Sequence, residues 1–429
     1  MKVKVSKAIF SDIMGTSKRV VESWIKSGKI LSVHDSDTDI EYILEDSLKK
    51  IEELDFLFND YWDEFSQISP ARNYKIIELF AGCGGLALGL ESAGFESVLV
   101  NEIDTDASKT LKLNRPNWNV INKDVSEVSF LKFHNKVDMI SGGFPCQAFS
   151  YAGNKLGFDD TRGTLFYEFA RAVKEVNPKV FVAENVKGLS SHDDGRTLET
   201  IRSVIKELGY ELVAEEVLKA IFYKVPQKRE RLILVAVRND LAPYVRYAYP
   251  PKFKQVFTVS DALKSGRLYN QDVPQSTGQS YPERKEEIMS LIPQGGYWRD
   301  LPDDLQREYM KGSYHLGGGK TGVARRLSWE EPSLTLTCAP AQKQTERCHP
   351  VETRPLTVRE YARIQTFPDS WEFCGSQTSQ YKQIGNAVPV NLGHAIGMSL
   401  IKLLNDIYIS DMKTELPIIE NNGQIRFRV

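Results

Sequence analysis

The chain has 429 residues, 41% of them hydrophobic and 26% charged, with a formal net charge of −2. That is the make-up of an ordinary globular protein of two or three domains, and its near-neutral charge does not by itself point to nucleic acid. Five scattered cysteines and six unclustered histidines argue against a disulfide framework and a structural zinc site, and the first residues lack the apolar core of a signal peptide.

Residues 1 to about 70 differ in composition from the rest of the chain. Ile9 to Met14 reads as a short helix, Gly15 as a turn, and Thr16 or Ser17 as the N-cap of a second helix through Lys26. That second helix carries Lys18, Arg19, Trp24 and Lys26. The spacing suits a helix-turn-helix that touches DNA, and equally a plain helical hairpin. From Asp35 to Glu64 twelve acids face two lysines, with apolar Ile40, Ile43, Leu44, Leu48, Ile51 and Leu54. This spacing predicts an amphipathic helix packed on the main domain, followed by a linker at 66–73.

From Tyr74 short apolar runs alternate with helical periods. Strands are expected at 76–80, 97–100, 120–121, 137–140, 180–183 and 232–237, with helices at 86–93, 165–175 and 198–208. The alternation predicts an α/β fold with a doubly wound, mostly parallel sheet. Beyond Asn239 the rhythm breaks into a Gly- and Pro-punctuated module of short strands, before helices at 357–365 and 391–404. No stretch approaches the length of a membrane span. The expected division is 1–70 as a helical extension, 71–240 as a catalytic and cofactor-binding domain, 241–350 as a recognition module, and 351–429 as a return to the catalytic domain.

Chemistry concentrates at the carboxyl ends of the strands, where open α/β sheets hold their ligands. Phe80-Ala81-Gly82-Cys83-Gly84-Gly85 is a glycine-rich strand-to-helix turn that lets a ligand approach the backbone. Glu102, 18 residues past Gly84, is placed to take the two hydroxyls of a ribose, and Asp124 an adenine amino group. The turn alone suits NAD, a flavin, a methyl donor or mere tight packing. Val137 to Ile140 leads into Gly142-Gly143-Phe144-Pro145-Cys146-Gln147, and Phe181 to Ala183 into Glu184-Asn185-Val186. Neighbouring strand ends lie about 5 Å apart, so Cys146 and Glu184 can face one pocket. A thiolate that adds to a conjugated ring, with an acid to protonate the ring nitrogen, is the chemistry such a pair suits. Arg229 and Arg231 are two apart, which places them on one side of a strand, within reach of a carbonyl oxygen, a phosphate or Glu184.

In order and spacing these stretches, with Asn101-Glu102-Ile103-Asp104, Gln227-Lys228-Arg229-Glu230-Arg231, Arg359-Glu360 and Gly385-Asn386-Ala387-Val388, strongly resemble the DNA cytosine-C5 methyltransferases of bacterial restriction–modification systems. The resemblance covers about residues 74–405 and implies the Rossmann-like methyltransferase fold. It implies an S-adenosylmethionine pocket built from Phe80, Gly82, Gly84, Gly85, Glu102, Ile103, Asp124, Pro145, Leu165 and Asn386. It also implies that Cys146 attacks C6 of a flipped-out cytosine while Glu184 protonates N3, with Arg231, helped by Arg229, holding the base carbonyl. The segment from Pro145 to about Thr164, with Gly153, Gly157 and Gly163 as hinges, corresponds to a loop that closes over the base.

Double-stranded DNA is then the expected partner, met through Gln147, Ser150, Thr335, Leu336 and Lys343, with Lys320, Arg325 and Arg326 as further candidates. A cytoplasmic monomer in a bacterial or archaeal cell is expected. The N-terminal extension is left to bind the enzyme's own promoter, add DNA affinity, or shield the main domain. Cys83 inside the glycine turn departs from the pattern and reads as a packing residue. An RNA methyltransferase built on the same motifs is the nearest alternative, and the long module after Arg231 favours DNA.

Overall fold

The structure, a computed structural model, describes residues 3–145, 164–317, 320–415, 418–419 and 425–426. In chain order it opens with β1 (Val5–Ser6), α1 (Lys7–Met14), α2 (Lys18–Lys26), β2 (Ser32–Asp35), β3 (Ile40–Ile43), α3 (Glu45–Leu48) and α4 (Tyr61–Phe65). Next come β4 (Tyr74–Leu79), α5 (Gly85–Ala93), β5 (Phe95–Asn101), α6 (Thr105–Asn114), β6 (Val120–Ile121), β7 (Met139–Gly142), α7 (Leu165–Val176), β8 (Val180–Val186), α8 (Arg196–Glu207) and β9 (Tyr210–Lys219). The remainder comprises β10 (Gln227–Lys228), β11 (Glu230–Arg238), α9 (Val259–Leu263), α10 (Glu283–Ser290), α11 (Asp303–Met310), β12 (Ser333–Leu334), α12 (Val358–Ile364), α13 (Gln377–Asn386) and α14 (Val390–Glu415).

The chain forms two compact units, each drawn from separated stretches. One comprises 65–218, 230–250 and 393–429; the other comprises 1–64, 219–229 and 251–392. The first 64 residues therefore group with the recognition stretch, a different division from one made by cutting the sequence at composition changes. Phe56 meets Phe222 edge-on at 5.5 Å and Trp62 meets Phe253 at 5.8 Å, contacts that separations along the chain conceal.

The first unit is built on a seven-stranded sheet in the order β6-β5-β4-β7-β8-β11-β9. β6 through β8 pair in parallel, and β11 runs antiparallel to β8. The strand order reverses between β4 and β7, which puts the crevice of a doubly wound fold at the ends of those strands. α7 and α8 bury Phe169, Val173, Ile201 and Val204 against Ile140 and Phe181 of the sheet. From Gly393 onward α14 packs so closely on α5 that a Cβ at Gly397 would lie 2.7 Å from that of Ala93. The stretch Gln377–Met412 is, among the described residues, the one long and apolar enough to cross a membrane. Its apolar window is 83% buried inside the protein, so the length absent from the sequence expectation belongs to a core helix.

The second unit corrects two further expectations. Asp35 to Glu64 is not one amphipathic helix. The Asp35 carboxylate accepts from the backbone N–H of Asp37 (3.1 Å) and Thr38 (3.3 Å), Asp39 takes φ 55°, and β2 and β3 pair as an antiparallel hairpin. Local turn chemistry outweighed the apolar spacing. The stretch after β3 breaks into α3, a 3-10 turn at Glu52–Leu57 and α4. The recognition stretch, in turn, holds α9, α10 and α11 and, among the described residues, a single short strand, β12, paired with β10. Its core gathers Tyr281, Met289, Trp298, Met310 and Cys348.

Candidate active site

β4 ends in a strained turn. Phe80 is half-buried at φ 56°, a conformation costly for a bulky residue and one that clusters at ligand sites. Gly82 (φ 56°) and Gly84 (φ 89°) carry the chain into α5, whose N-terminus has no side-chain cap. Glu102, buried at the end of β5, accepts from Gly82 N–H (2.7 Å) and Asp104 N–H (2.7 Å), one bond on each oxygen. A carboxylate has about four lone-pair directions, so each oxygen keeps capacity for a hydroxyl. Burial raises the Glu102 pKa and the two backbone donors oppose it. Beside it Ile103 is 62% exposed, an apolar surface next to a buried acid. Cys83 is fully buried, and burial pushes its thiol well above the usual range, which leaves it a packing residue.

Asp124 caps a 3-10 turn through one oxygen, accepting from Ser126 N–H (2.9 Å) and Oγ (2.7 Å), and these donors lower its pKa. These residues fit a nucleoside-bearing group: a close-approach backbone, a carboxylate with spare lone pairs, and exposed apolar surface beside it. Leu165 begins α7, half-buried, and Pro145 is exposed.

β7 and β8 are neighbours, with Gly142 opposite Ala183, so Glu184 lies beside the chain leaving β7. A Cβ at Gly143 would come within 2.6 Å of Glu184 Oε2. The carboxylate therefore rests over the Gly143 backbone, three residues before Cys146, and a Cβ at 143 would have to push it aside. Its other oxygen, Oε1, pairs with Arg231 Nε at 2.5 Å, both side chains about nine-tenths buried. Buried Asn185 donates to Phe144 O (2.8 Å), tying the end of β8 to the approach to Cys146. Phe144 packs on Phe166 and Phe169 at 5.2 and 5.8 Å. Cys146, Gln147, Ser150, Gly153, Gly157 and Gly163 lie outside the described residues.

Residues 74–402 match the family described as C-5 cytosine-specific DNA methylase. The chain belongs to it. The chain is 61% identical over 407 residues to the Type II methyltransferase M.Eco47II of Escherichia coli, covering 95% of this chain and 97% of that one. It is 60% identical over 400 residues to M.PspPI of a Psychrobacter strain, covering 93% and 96%. Among solved structures, a prophage-encoded DNA modification methyltransferase of E. coli superposes with a TM-score of 0.60 at 25% identity, covering 78% of this chain and all of that one.

Within this cytosine-C5 methylase, Arg229 and Arg231 part company. Their spacing puts them on one side of a single strand, but the chain leaves β10 and enters β11 at Arg229, and the two strands pair in different sheets. Arg229 is 2% exposed and donates to the carbonyls of Leu336 (3.2 Å), Gly385 (3.0 Å) and Asn386 (3.4 Å). It braces its own unit. Gly385 is required there because a Cβ would overlap the Thr337 carbonyl. Asn386 is exposed, its Oδ1 accepting from the Cys338 thiol at 3.2 Å.

Several candidate DNA contacts are likewise internal. Leu336 is 1% exposed and its N–H donates to Gln227 Oε1 (3.0 Å). Half-buried Thr335 donates to Lys228 O (2.5 Å). Arg326 is buried, with six acceptors: the carbonyls of Met289, Ile292, His349, Val351 and Glu352, and the Thr353 hydroxyl. Lys320 donates to Ser313 and Leu316 carbonyls. Lys343 is exposed, its ammonium 3.4 Å from Met310 O, and Arg325 is half-buried.

One residue escaped the sequence reading. Glu78 stands fully buried in β4, accepts from Ser141 Oγ (3.3 Å), and has its pKa pushed up to about 8, chiefly by burial, with the Glu184 charge adding to the shift. An acid inside the apolar run Ile76-Ile77-Glu78-Leu79 was the available signal.

Proposed function

We propose that this methylase transfers a methyl group to C5 of a flipped-out cytosine in a specific duplex DNA sequence. The observation that carries the reading is Glu184, held at the carboxyl edge of the sheet between the Gly143 backbone and Arg231. An acid clamped by one guanidinium, three residues from the end of the Gly143–Cys146 run, is set to donate a proton to N3 as a thiolate adds to C6. The addition loads electron density onto C5. S-adenosylmethionine supplies the methyl group, and Phe80, Gly82, Gly84, Gly85, Glu102, Ile103, Asp124, Pro145, Leu165 and Asn386 are the residues assigned to hold it. Loss of the C5 proton to water, return of the N3 proton to Glu184 and elimination of the Cys146 thiolate restore the aromatic base. A cytosine inside a duplex cannot enter such a pocket, so it leaves the stack at a cost of a few kcal/mol.

Arg231 steadies Glu184 and reaches for the cytosine carbonyl; Arg229, with both terminal nitrogens donating to carbonyls, supports the fold of its unit instead. Gln147, Ser150 and Lys343 remain the residues proposed to meet DNA. The relatives are named Type II methyltransferases, which supports a role in shielding host DNA from a cognate restriction endonuclease.

The test is the product. Protein incubated with methyl-labelled S-adenosylmethionine and genomic DNA should put label in 5-methylcytosine. Label in adenine, or in tRNA alone, would overturn the reaction while leaving the fold intact. Cys146→Ala should lose at least ~10³-fold in turnover while binding DNA normally. A duplex with 5-fluorocytosine at the target should form a denaturation-resistant adduct, because fluorine cannot leave as a proton.

A further inference from the structure

The N-terminal module has the parts of a helix-turn-helix with a hairpin. Ser6 caps α1 (3.3 Å from Ile9 N), Gly15 ends it in the left-handed conformation, and Ser17 caps α2 (3.3 Å from Val20 N). It is not a loosely tethered appendage. Lys18 Nζ pairs with Glu331 Oε1 (2.5 Å), and Lys228 Nζ pairs with Asp12 Oδ1 (2.8 Å) and lies 3.5 Å from Glu331 Oε2. Lys228 also accepts from Thr335 through its carbonyl. Four charges, two of them on buried or nearly buried carboxylates, thus lock α1 and α2 onto β10 and the residues flanking β12.

That lock sorts the residues of α2. Lys18 is committed to Glu331, and Trp24 packs edge-on against Phe10 (6.4 Å) beneath the Lys29 ammonium (4.4 Å). Arg19, Ser23 and Lys26 are exposed at steps of four and three, one stripe about 10 Å long. Neither Arg19 nor Lys26 pairs with an acid among the described residues. The first 30 residues hold seven basic side chains and two acids, and both acids are engaged, Asp12 with Lys228 and Glu22 with Lys7. The hairpin carries the opposite charge, with Asp35, Asp37, Asp39 and Glu41 around its tip. Phosphates are repelled by the hairpin and attracted by the helix.

We infer that the Arg19–Ser23–Lys26 face of α2 binds the phosphate backbone of the duplex that carries the target cytosine, outside the recognised sequence. The inference rests on the proposed function. Because α2 is locked to the stretch bearing Thr335, it meets flanking DNA as part of the recognition unit and lengthens the bound site.

The test compares a short duplex holding little more than the target with one extended on both sides. Arg19→Gln/Lys26→Gln should weaken binding of the long duplex by about tenfold and reduce its log–log salt slope by about 2, as expected for two lost phosphate contacts. Binding to the short duplex and its methylation rate should not change, and thermal melting should match the parent because both side chains are exposed. Arg19→Lys/Lys26→Arg should restore the long-duplex affinity. An unchanged salt slope on the long duplex overturns the inference, as does an equal loss on both lengths. A loss confined to DNA upstream of the protein's own gene also overturns it, and assigns the helix to an operator. Failure of the parent to methylate the short duplex would instead count against the proposed function.

Discussion

Both units bury arginines, and they use them for opposite ends. In the sheet unit Arg231 points a guanidinium at one carboxylate, Glu184, at the carboxyl ends of the strands, where open α/β sheets hold their ligands. In the recognition unit Arg326 donates to five carbonyls and a hydroxyl, and Arg363 to the carbonyls of Ala262, Gln271 and Asp272 as well as to Asp369. The difference arises from how each unit satisfies its backbone. A seven-stranded sheet pairs its own N–H and C=O groups, which leaves charged side chains at its edge available for chemistry. A unit of short helices and strands of two to four residues buries carbonyls that no ladder reaches, and forked guanidinium donors fill the gap. An arginine in a loop-rich module is therefore first a structural candidate and only second a DNA contact.

Arg326→Met should test this contrast most severely. It orphans several buried carbonyls at once and should lower the unfolding free energy by about 3–5 kcal/mol, seen as a large drop in Tm. An unchanged Tm would refute a structural role for Arg326. The two neighbouring arginines should divide along the same line. Arg231→Met should cut the kcat of the folded protein by about 10²- to 10³-fold, because it removes the donor that holds Glu184, the proposed proton donor. Arg229→Met should do the reverse, destabilising by about 1–3 kcal/mol while folded protein keeps most of its kcat. Equal losses of kcat in both variants would return Arg229 to the active site.

A pH-dependent effect lies beneath the site. Glu78 keeps its proton in the folded protein up to about pH 8, whereas in the unfolded chain it ionises near its ordinary value of 4.5. The folded state thus binds the extra proton, so this residue's contribution to stability is complete below that ordinary value and is lost as pH rises through about 8. Glu78→Gln should match the parent at acid pH and exceed it progressively as pH rises from 4.5 toward about 8. Chemical denaturation across that range would refute the neutral assignment if the two stability curves stayed parallel.

Much of the molecule was legible without coordinates. The alternation of apolar runs and helical periods from Tyr74 to Val237 announced the doubly wound sheet, because period-2 and period-3.6 burial are properties of the local chain. Glycine turns with acids at the next strand ends marked Glu102 and Glu184, because parallel strands bring their carboxyl ends to one edge. The fates of Leu336, Arg326 and Arg229 were not legible, since each depends on which distant carbonyl or apolar group lies within reach. Nor could spacing reveal that the hairpin at Asp35–Ile40 replaces a helix, or that Lys18 and Asp12 bind the first helices to Glu331 and Lys228. Local periodicity and turn geometry are written in neighbouring residues, whereas partners hundreds of positions apart meet only once the chain has closed on itself.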